Sequence, residues 1–312
     1  MQYPSYHRKT CTRQFRYVPG PRYWRYLKKY LVVLRLVGLV VMGSRLYLYA
    51  AESRQTKKTN EAIAVLYYTG ETQKTEESIL INPAVTGVLL EMPVTSPAPT
   101  AFQQVSGKAL PRFSSLLQEN GDVIGWLTIK GMLDLPVVYR NNTYYLTRDV
   151  YKKRSAAGTL FLDENHPLLS STQHLVLHGH NMKDGSMFGR LQRYLKLDFL
   201  QKHGFLQFDT LYQESSYVVI AVLIIPENVH SVGYINFLGH PSFRSTAQFT
   251  EFVNDLKERS VYVITIPMGG DDALLTLSTC YGDDRLLIVA RRVRKGESIS
   301  DLKQLLGYAR KK

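Results

Sequence analysis

At 312 residues and 45% hydrophobic side chains, the chain has room for one large domain or two smaller ones and the apolar content of an ordinary globular protein. Its net charge of +13 suggests a nucleic-acid binder only until the charge is located: residues 1–58 hold 13 of the 39 Lys and Arg and one of the 26 acids, Glu52, so +12 lies there and +1 in everything after it. A nearly neutral large domain argues against nucleic acid as a partner, and with only Cys11 and Cys280 in the chain, the part beyond the N-terminal apolar run has no intrachain disulfide.

Residues 1–30 are basic and aromatic, a composition suited to anionic lipid headgroups. Leu31 to Ala50 is apolar, and about 20 residues span a bilayer core. Arg35 and Arg45 interrupt it, and one arginine at mid-span costs roughly 2.5–3.5 kcal/mol or more. Each lies near an end, about 8 Å deep at 1.5 Å per residue, within reach of a snorkelling side chain. An in-plane amphipathic helix is the structural rival. The long basic lead and the lack of a small-x-small site argue against a cleaved signal peptide. The positive-inside rule then puts residues 1–30 in the cytoplasm, 31–50 across the cell membrane as a single-pass signal anchor, and all that follows outside.

Residues 51–110 read as an extracellular stalk, polar to Ser78 and then punctuated by Pro83, Pro93, Pro97 and Pro99. Within it, Asn82-Pro83-Ala84-Val85-Thr86-Gly87 reads as a Pro- and Gly-punctuated linker, with the rival reading that it lies in a groove of the following domain without being cleaved.

The compact domain, 111–312, opens with Phe113, Leu116 and Leu117 on a short helix. The pattern then turns β: Gly125 to Ile129, Pro136 to Tyr139, Tyr144 to Leu146, Thr159 to Leu162 and His174 to Leu177, with Asp163-Glu164-Asn165 among the turns. Phe205 to Phe208, Tyr217 to Ile225 and Val261 to Ile266 are later strands. Between the last two, Ser245 to Arg259 places Phe249, Phe252, Val253 and Leu256 on one helical face. Ile299 to Tyr308 suggests a terminal amphipathic helix. Short strands with turn punctuation indicate a closed barrel or sandwich.

Two stretches carry chemistry. Ala273 to Thr279 and Leu286 to Ala290 read as strands around a short turn, so a symmetric hairpin makes Cys280 and Arg285 a cross-strand pair with Cβ atoms roughly 4.5–5.5 Å apart. A guanidinium there favours the thiolate and stabilises an oxyanion. The bland alternative is a buried small hydrophobe beside a solvated arginine. In His174-Leu175-Val176-Leu177-His178-Gly179-His180, alternation places His174 and His178 on one face, and His180 projects from a strand end after a glycine. No Cys, Asp or Glu completes a metal-ligand spacing, so neither a metal nor a cofactor is expected.

Leu177-His178-Gly179-His180-Asn181-Met182-Lys183-Asp184-Gly185-Ser186-Met187-Phe188-Gly189, together with Thr276-Leu277-Ser278-Thr279-Cys280 and a following arginine, resembles class B sortases. Gly125-Trp126-Leu127, Asp134 to Val138, Asn142 to Leu146 and Gly158 to Asp163 extend the likeness over roughly residues 112–293. The resemblance implies a mainly β fold: a closed eight-stranded barrel with an N-terminal helix, a helix before the penultimate strands and an N-terminal transmembrane helix. It also implies a membrane-anchored cysteine transpeptidase of Gram-positive bacteria. Cys280 matches the nucleophile, His180 the histidine and Arg285 the arginine, while Ser278, Asn142 and Leu146 match positions lining the sorting-signal groove.

Two departures stand out. The family usually has more than four residues between cysteine and arginine, so the hairpin register supports Arg285 over Arg291 and Arg292. His178 stands where the family often has an aromatic residue. The implied partners are secreted proteins bearing a C-terminal sorting signal and a peptidoglycan or cell-wall precursor amine. A pilin polymerase is the rival within the family, though this chain has no Asp-Pro pair of the lid type. A cysteine hydrolase of surface proteins and a barrel that binds without turnover are the rivals outside it.

Overall fold

The computed structural model describes residues 23–77, 109–166 and 172–312. Cys11 and the Asn82 to Gly87 stretch lie outside the described residues. The chain divides into two units, Met1–Ala50 and Ala51–Lys312.

In the first unit the described residues belong to α1 (Tyr23–Glu77). Its large apolar side chains, Leu31, Val37, Val40 and Leu46 among them, are exposed. Among the described residues this is one segment long and apolar enough to cross a membrane, and a single N-terminal helix of that kind fits a membrane anchor.

The second unit corrects the expectation of a spacer that buries little. Residues 51–77 are helical rather than stalk-like. Thr56, Thr59, Ile63 and Tyr67 are buried along one face at spacings of three and four. Two of these four are threonines, so the stripe reads as polar in sequence while still packing as a helix face. Tyr67 stacks on Trp126 with ring centroids 4.3 Å apart and 7° between planes, and its hydroxyl donates to Asp209 at 2.8 Å. These rings meet Phe113, Leu116, Val138, Tyr145 and Phe161 in a second core on the outer wall of the barrel.

The remaining helices are α2 (Ser114–Glu119), α3 (Leu197–His203), α4 (Thr246–Arg259) and α5 (Ile299–Gly307). The strands are β1 (Val123–Ile129), β2 (Leu133–Val138), β3 (Leu160–Leu162), β4 (His174–His178), β5 (Phe205–Thr210), β6 (Ser216–Pro226), β7 (Tyr262–Val263), β8 (Leu274–Tyr281), β9 (Asp284–Arg292) and β10 (Arg310–Lys311). Eight of them close a barrel in the order β1-β2-β3-β4-β8-β9-β6-β5, with β5 returning to β1. The β2–β3 and β4–β8 pairs are parallel. The barrel is the mainly β architecture expected, with α4 ahead of β8 and β9.

Three segments differ from expectation. Tyr144–Leu146 is a 3-10 turn, not a strand: Asn141 Oδ1 accepts from the Thr143 and Tyr144 amides, which curls the chain. Only Tyr262–Val263 of the Val261 to Ile266 run is a strand, and it stands outside the barrel, paired with β10. Leu197–His203, unassigned in sequence, is a helix that buries Phe199 and Leu200. The period-based reading of α4 holds: Phe249, Phe252, Val253 and Leu256 are its buried residues, and the Ser245 hydroxyl caps it by accepting from the Gln248 amide.

Candidate active site

The site lies where β4 and β8 end side by side. The parallel register sets His178 opposite Ser278. Three further links fasten the next residues of each strand together: the Gly179 amide donates to the Ser278 carbonyl at 3.3 Å, Thr279 Oγ1 to the Gly179 carbonyl at 2.7 Å, and Asn181 Nδ2 to the Cys280 carbonyl at 2.7 Å. Glycine is required at 179, because a Cβ there would fall 2.4 Å from Leu160 Cδ2 and 2.8 Å from Phe188 Cδ2. His180 follows this close approach and projects past the sheet.

The β8–β9 hairpin has the anticipated register. Cys280 pairs with Arg285 and Tyr281 with Asp284. Gly282 takes a φ of +64° in the turn, a conformation open to glycine. Cys280 is exposed and free, while Ser278 and Thr279 beneath it are buried.

Cys280, His180, Arg285, Ser278, Asn142 and Leu146 all line one cleft of about 550 Å³. Val229, Tyr234, Phe237 and Leu238, from the segment after β6, give the same cleft an apolar wall. The structure thus brings together the six side chains expected to form the site. Two of the three expected to line the groove also hold members of the other three, and Asn142 holds the buried acid Asp163. Ser278 Oγ accepts from Arg285 Nη1 at 3.2 Å. The Leu146 carbonyl accepts from His180 Nε2 at 2.7 Å, which fixes a hydrogen on Nε2 and leaves Nδ1 for proton exchange. Asn142 Nδ2 donates to Asp163 Oδ2 at 2.9 Å, and its oxygen accepts from the Glu164 amide at 2.9 Å.

Sequence reasoning missed two acids. Glu227 lines the cleft, with Oε1 2.5 Å from Arg285 Nη2, so Arg285 is held between a carboxylate and a hydroxyl. Its position just beyond Pro226, which pairs with Asp284, could have been found only by knowing that β6 neighbours β9. Asp163, read as a turn residue, is wholly buried. His178 Nε2 donates to it at 3.0 Å and the Asn165 amide at 2.9 Å, and His166 Nδ1 lies 3.2 Å away. Burial alone would raise its pKa; the hydrogen bonds from His166, His178 and Asn165 and the His178 charge outweigh that and hold it far below the usual carboxylate range. His178 therefore meets the cleft as a ring tied to a buried carboxylate. His174, four residues back, is fully buried with Nε2 2.8 Å from Thr276 Oγ1. Among the described residues, no three His, Cys, Asp or Glu side chains converge in a way that would hold a metal ion.

The arrangement provides an accessible thiol beside a guanidinium, with an imidazole across the strand ends. That set is chemically suited to nucleophilic acyl transfer. Residues 129–293 match the Sortase domain family. The chain is 31% identical over 202 residues to sortase B of Listeria monocytogenes, covering 62% of this chain and 79% of the relative. It is 28% identical over 191 residues to sortase B of Staphylococcus aureus, covering 59% and 75%. The crystal structure of sortase B from Bacillus anthracis superposes with a TM-score of 0.59 at 25% identity, covering 78% of this chain and 99% of that one.

Proposed function

Since this chain belongs to the sortase family, and within it to class B, and is by that membership a cysteine transpeptidase, we propose that Cys280, His180 and Arg285 carry the reaction, on the C-terminal sorting signal of a secreted protein. The Cys280 thiolate attacks the scissile carbonyl and a C–S bond forms. Arg285 faces the oxyanion that develops. His180, as imidazolium, passes its Nδ1 proton to the departing amine as the C–N bond breaks, leaving a thioacyl-enzyme. A peptidoglycan or cell-wall precursor amine then attacks the thioester, gives its proton back to His180, and releases Cys280 as thiolate. Asn142, Leu146 and Ser278 line the groove for the sorting signal. Residues 31–50 anchor the enzyme in the cell membrane, with the N-terminus cytoplasmic and the catalytic domain outside.

The observation that supports this reading is the convergence of the three side chains on one cleft, with Cys280 the exposed member. The test is incubation of the full chain in detergent with a library of Pro-x-Thr peptides and an amine, read by mass spectrometry. Amine-dependent ligated product is expected. Cleavage with water alone as acceptor would make the protein a hydrolase, and selective ligation to a pilin lysine would make it a polymerase.

A further inference from the structure

Helix α1 touches the domain at a point that bears on His180. Two segments hold that histidine. One is the loop that follows it: Asn181 pairs with Met187, and the Phe188 amide donates to the His180 carbonyl at 3.0 Å. Asp184 organises this loop, its Oδ1 accepting from the Ser186 amide at 2.9 Å and the Ser186 hydroxyl at 2.7 Å. The other is the segment after Leu146, whose carbonyl carries the His180 Nε2–H. That segment closes on itself where Thr159 N donates to the Tyr145 carbonyl and Ser155 N to the Thr147 carbonyl, both at 3.0 Å.

The beginning of the docked part of α1 bridges the two. Ser53 Oγ donates to Asp184 Oδ2 at 2.5 Å. One residue earlier, Glu52 Oε1 accepts from the Ala156 amide at 2.8 Å. Thr56 and Thr59 are buried and, with Glu52, line a small polar recess against Arg154, Ser155 and Gly158. Burial would raise the Asp184 carboxyl, but the hydroxyls of Ser53 and Ser186 and the Lys57 charge keep it below the usual range, so it accepts as a carboxylate.

We infer that Glu52 and Ser53 are positioning residues for His180: they tie the loop behind the imidazole to the segment that presents the Leu146 carbonyl. The inference rests on His180 being the acid of the reaction. With both ties cut, the two segments drift relative to each other and the His180 Nε2–Leu146 bond loosens. The ring then turns away from the line between thiol and leaving amine, which small displacements suffice to penalise. Asn142, tied to Asp163, and Ser278, within β8, keep their places, so most of the groove that binds substrate is retained.

The test uses the full chain in detergent micelles, with steady-state kinetics on a cognate peptide and an amine. Glu52→Ala with Ser53→Ala is expected to lower kcat about tenfold while KM stays within about twofold, since misplacement costs rate rather than binding. Glu52→Gln with Ser53→Thr keeps an acceptor oxygen and a hydroxyl donor and is expected to restore kcat. A double alanine variant with wild-type kcat, or with raised KM and unchanged kcat, overturns the inference; so does a failure of the conservative pair to restore rate while its cooperative unfolding is normal. His180→Ala, run beside them, separates the premises: full activity there removes the role of His180 itself. If the double alanine variant unfolds at the assay temperature, Ser53→Ala alone is measured, expecting a smaller fall in kcat at constant KM and holding the same overturning outcomes.

Discussion

Arg285 and Arg291 sit six residues apart on β9, and each has an acidic partner, yet they are opposites. Arg291 is fully buried. Its Nη1 and Nη2 reach the two oxygens of Glu297 at 2.8 and 2.7 Å, and Nη1 also donates to the Arg292 carbonyl. Only Nε lacks a hydrogen-bond partner, with Asp272 Oδ2 4.0 Å away. Arg285 is partly exposed at the cleft, and its partner Glu227 is 58% exposed. A bidentate pair with a fully buried guanidinium stays as it is because breaking it strands that charge away from water. A pair at the edge of solvent exchanges partners at little loss. An arginine that meets an oxyanion for part of a cycle needs the second environment, and an arginine that closes the end of a barrel needs the first.

The sharpest break of that contrast is at the thiol. Cys280→Ala is expected to bring ligated product down to background, about a thousandfold or more below wild type, with an unchanged melting temperature because the side chain is small and exposed. Residual turnover above about one per cent of wild type would remove Cys280 as nucleophile.

Next comes the buried arginine. Arg291→Ala leaves Glu297 without its partner and is expected to lower unfolding stability in urea by about 3–5 kcal/mol, with kcat of the folded fraction within about twofold of wild type. Arg285→Lys should do the reverse. A compact ammonium does not reproduce a planar fork of donors, so kcat is expected to fall about a hundredfold, near 2.7 kcal/mol in the barrier, with unfolding unchanged. If Arg291→Lys loses turnover while Arg285→Lys keeps it, the two arginines have been assigned the wrong way round.

The smallest effect is in acid. The Arg291 hydrogen bond, against some opposition from burial, holds the Glu297 carboxyl below its ordinary range. Its folded pKa is depressed, so its contribution is complete above the unfolded value of about 4.3 and is lost as pH falls below that. His174 acts earlier. Burial, with repulsion from His166, lowers it from 6.5 to about 3, so the unfolded chain takes up a proton first and stability declines from about pH 6.5 down toward pH 3. In a urea titration across pH, Glu297→Gln is expected to flatten only the limb below about pH 4.3. A change near pH 6 in that variant would mean that Glu297 and the histidine region are coupled.

What the sequence disclosed depended on whether a residue acts through its neighbours in the chain or through space. Counting Cys280 to Arg285 gave the hairpin register, because a short turn leaves the strands no freedom to slip. The face of α4 followed from spacing alone. The docking of α1 over residues 51–70 was hidden because Thr56 and Thr59 occupy buried positions where apolar residues would have signalled a stripe. The support of His180 was hidden for another reason: the partner is a backbone carbonyl, which every residue has and no sequence pattern marks. Asp163 looked like a turn acid because, of the four polar partners of its carboxylate, only Asn165 and His166 are near in sequence, while Asn142 and His178 come from other segments.

The parallel pairing of β4 with β8 also sets an order of assembly. About a hundred residues separate the two strands along the chain, so their meeting is a long-range closure, the slow kind of contact in folding. The β8–β9 hairpin needs no such closure, and hairpins form on the scale of about 1–10 μs. Cys280 and Arg285 are therefore expected to find each other early, and His180 to arrive with the rest of the barrel. During that interval the folding chain carries the Cys280 thiol with its guanidinium but without His180: a thiol expected to be open to alkylation before the enzyme has any turnover.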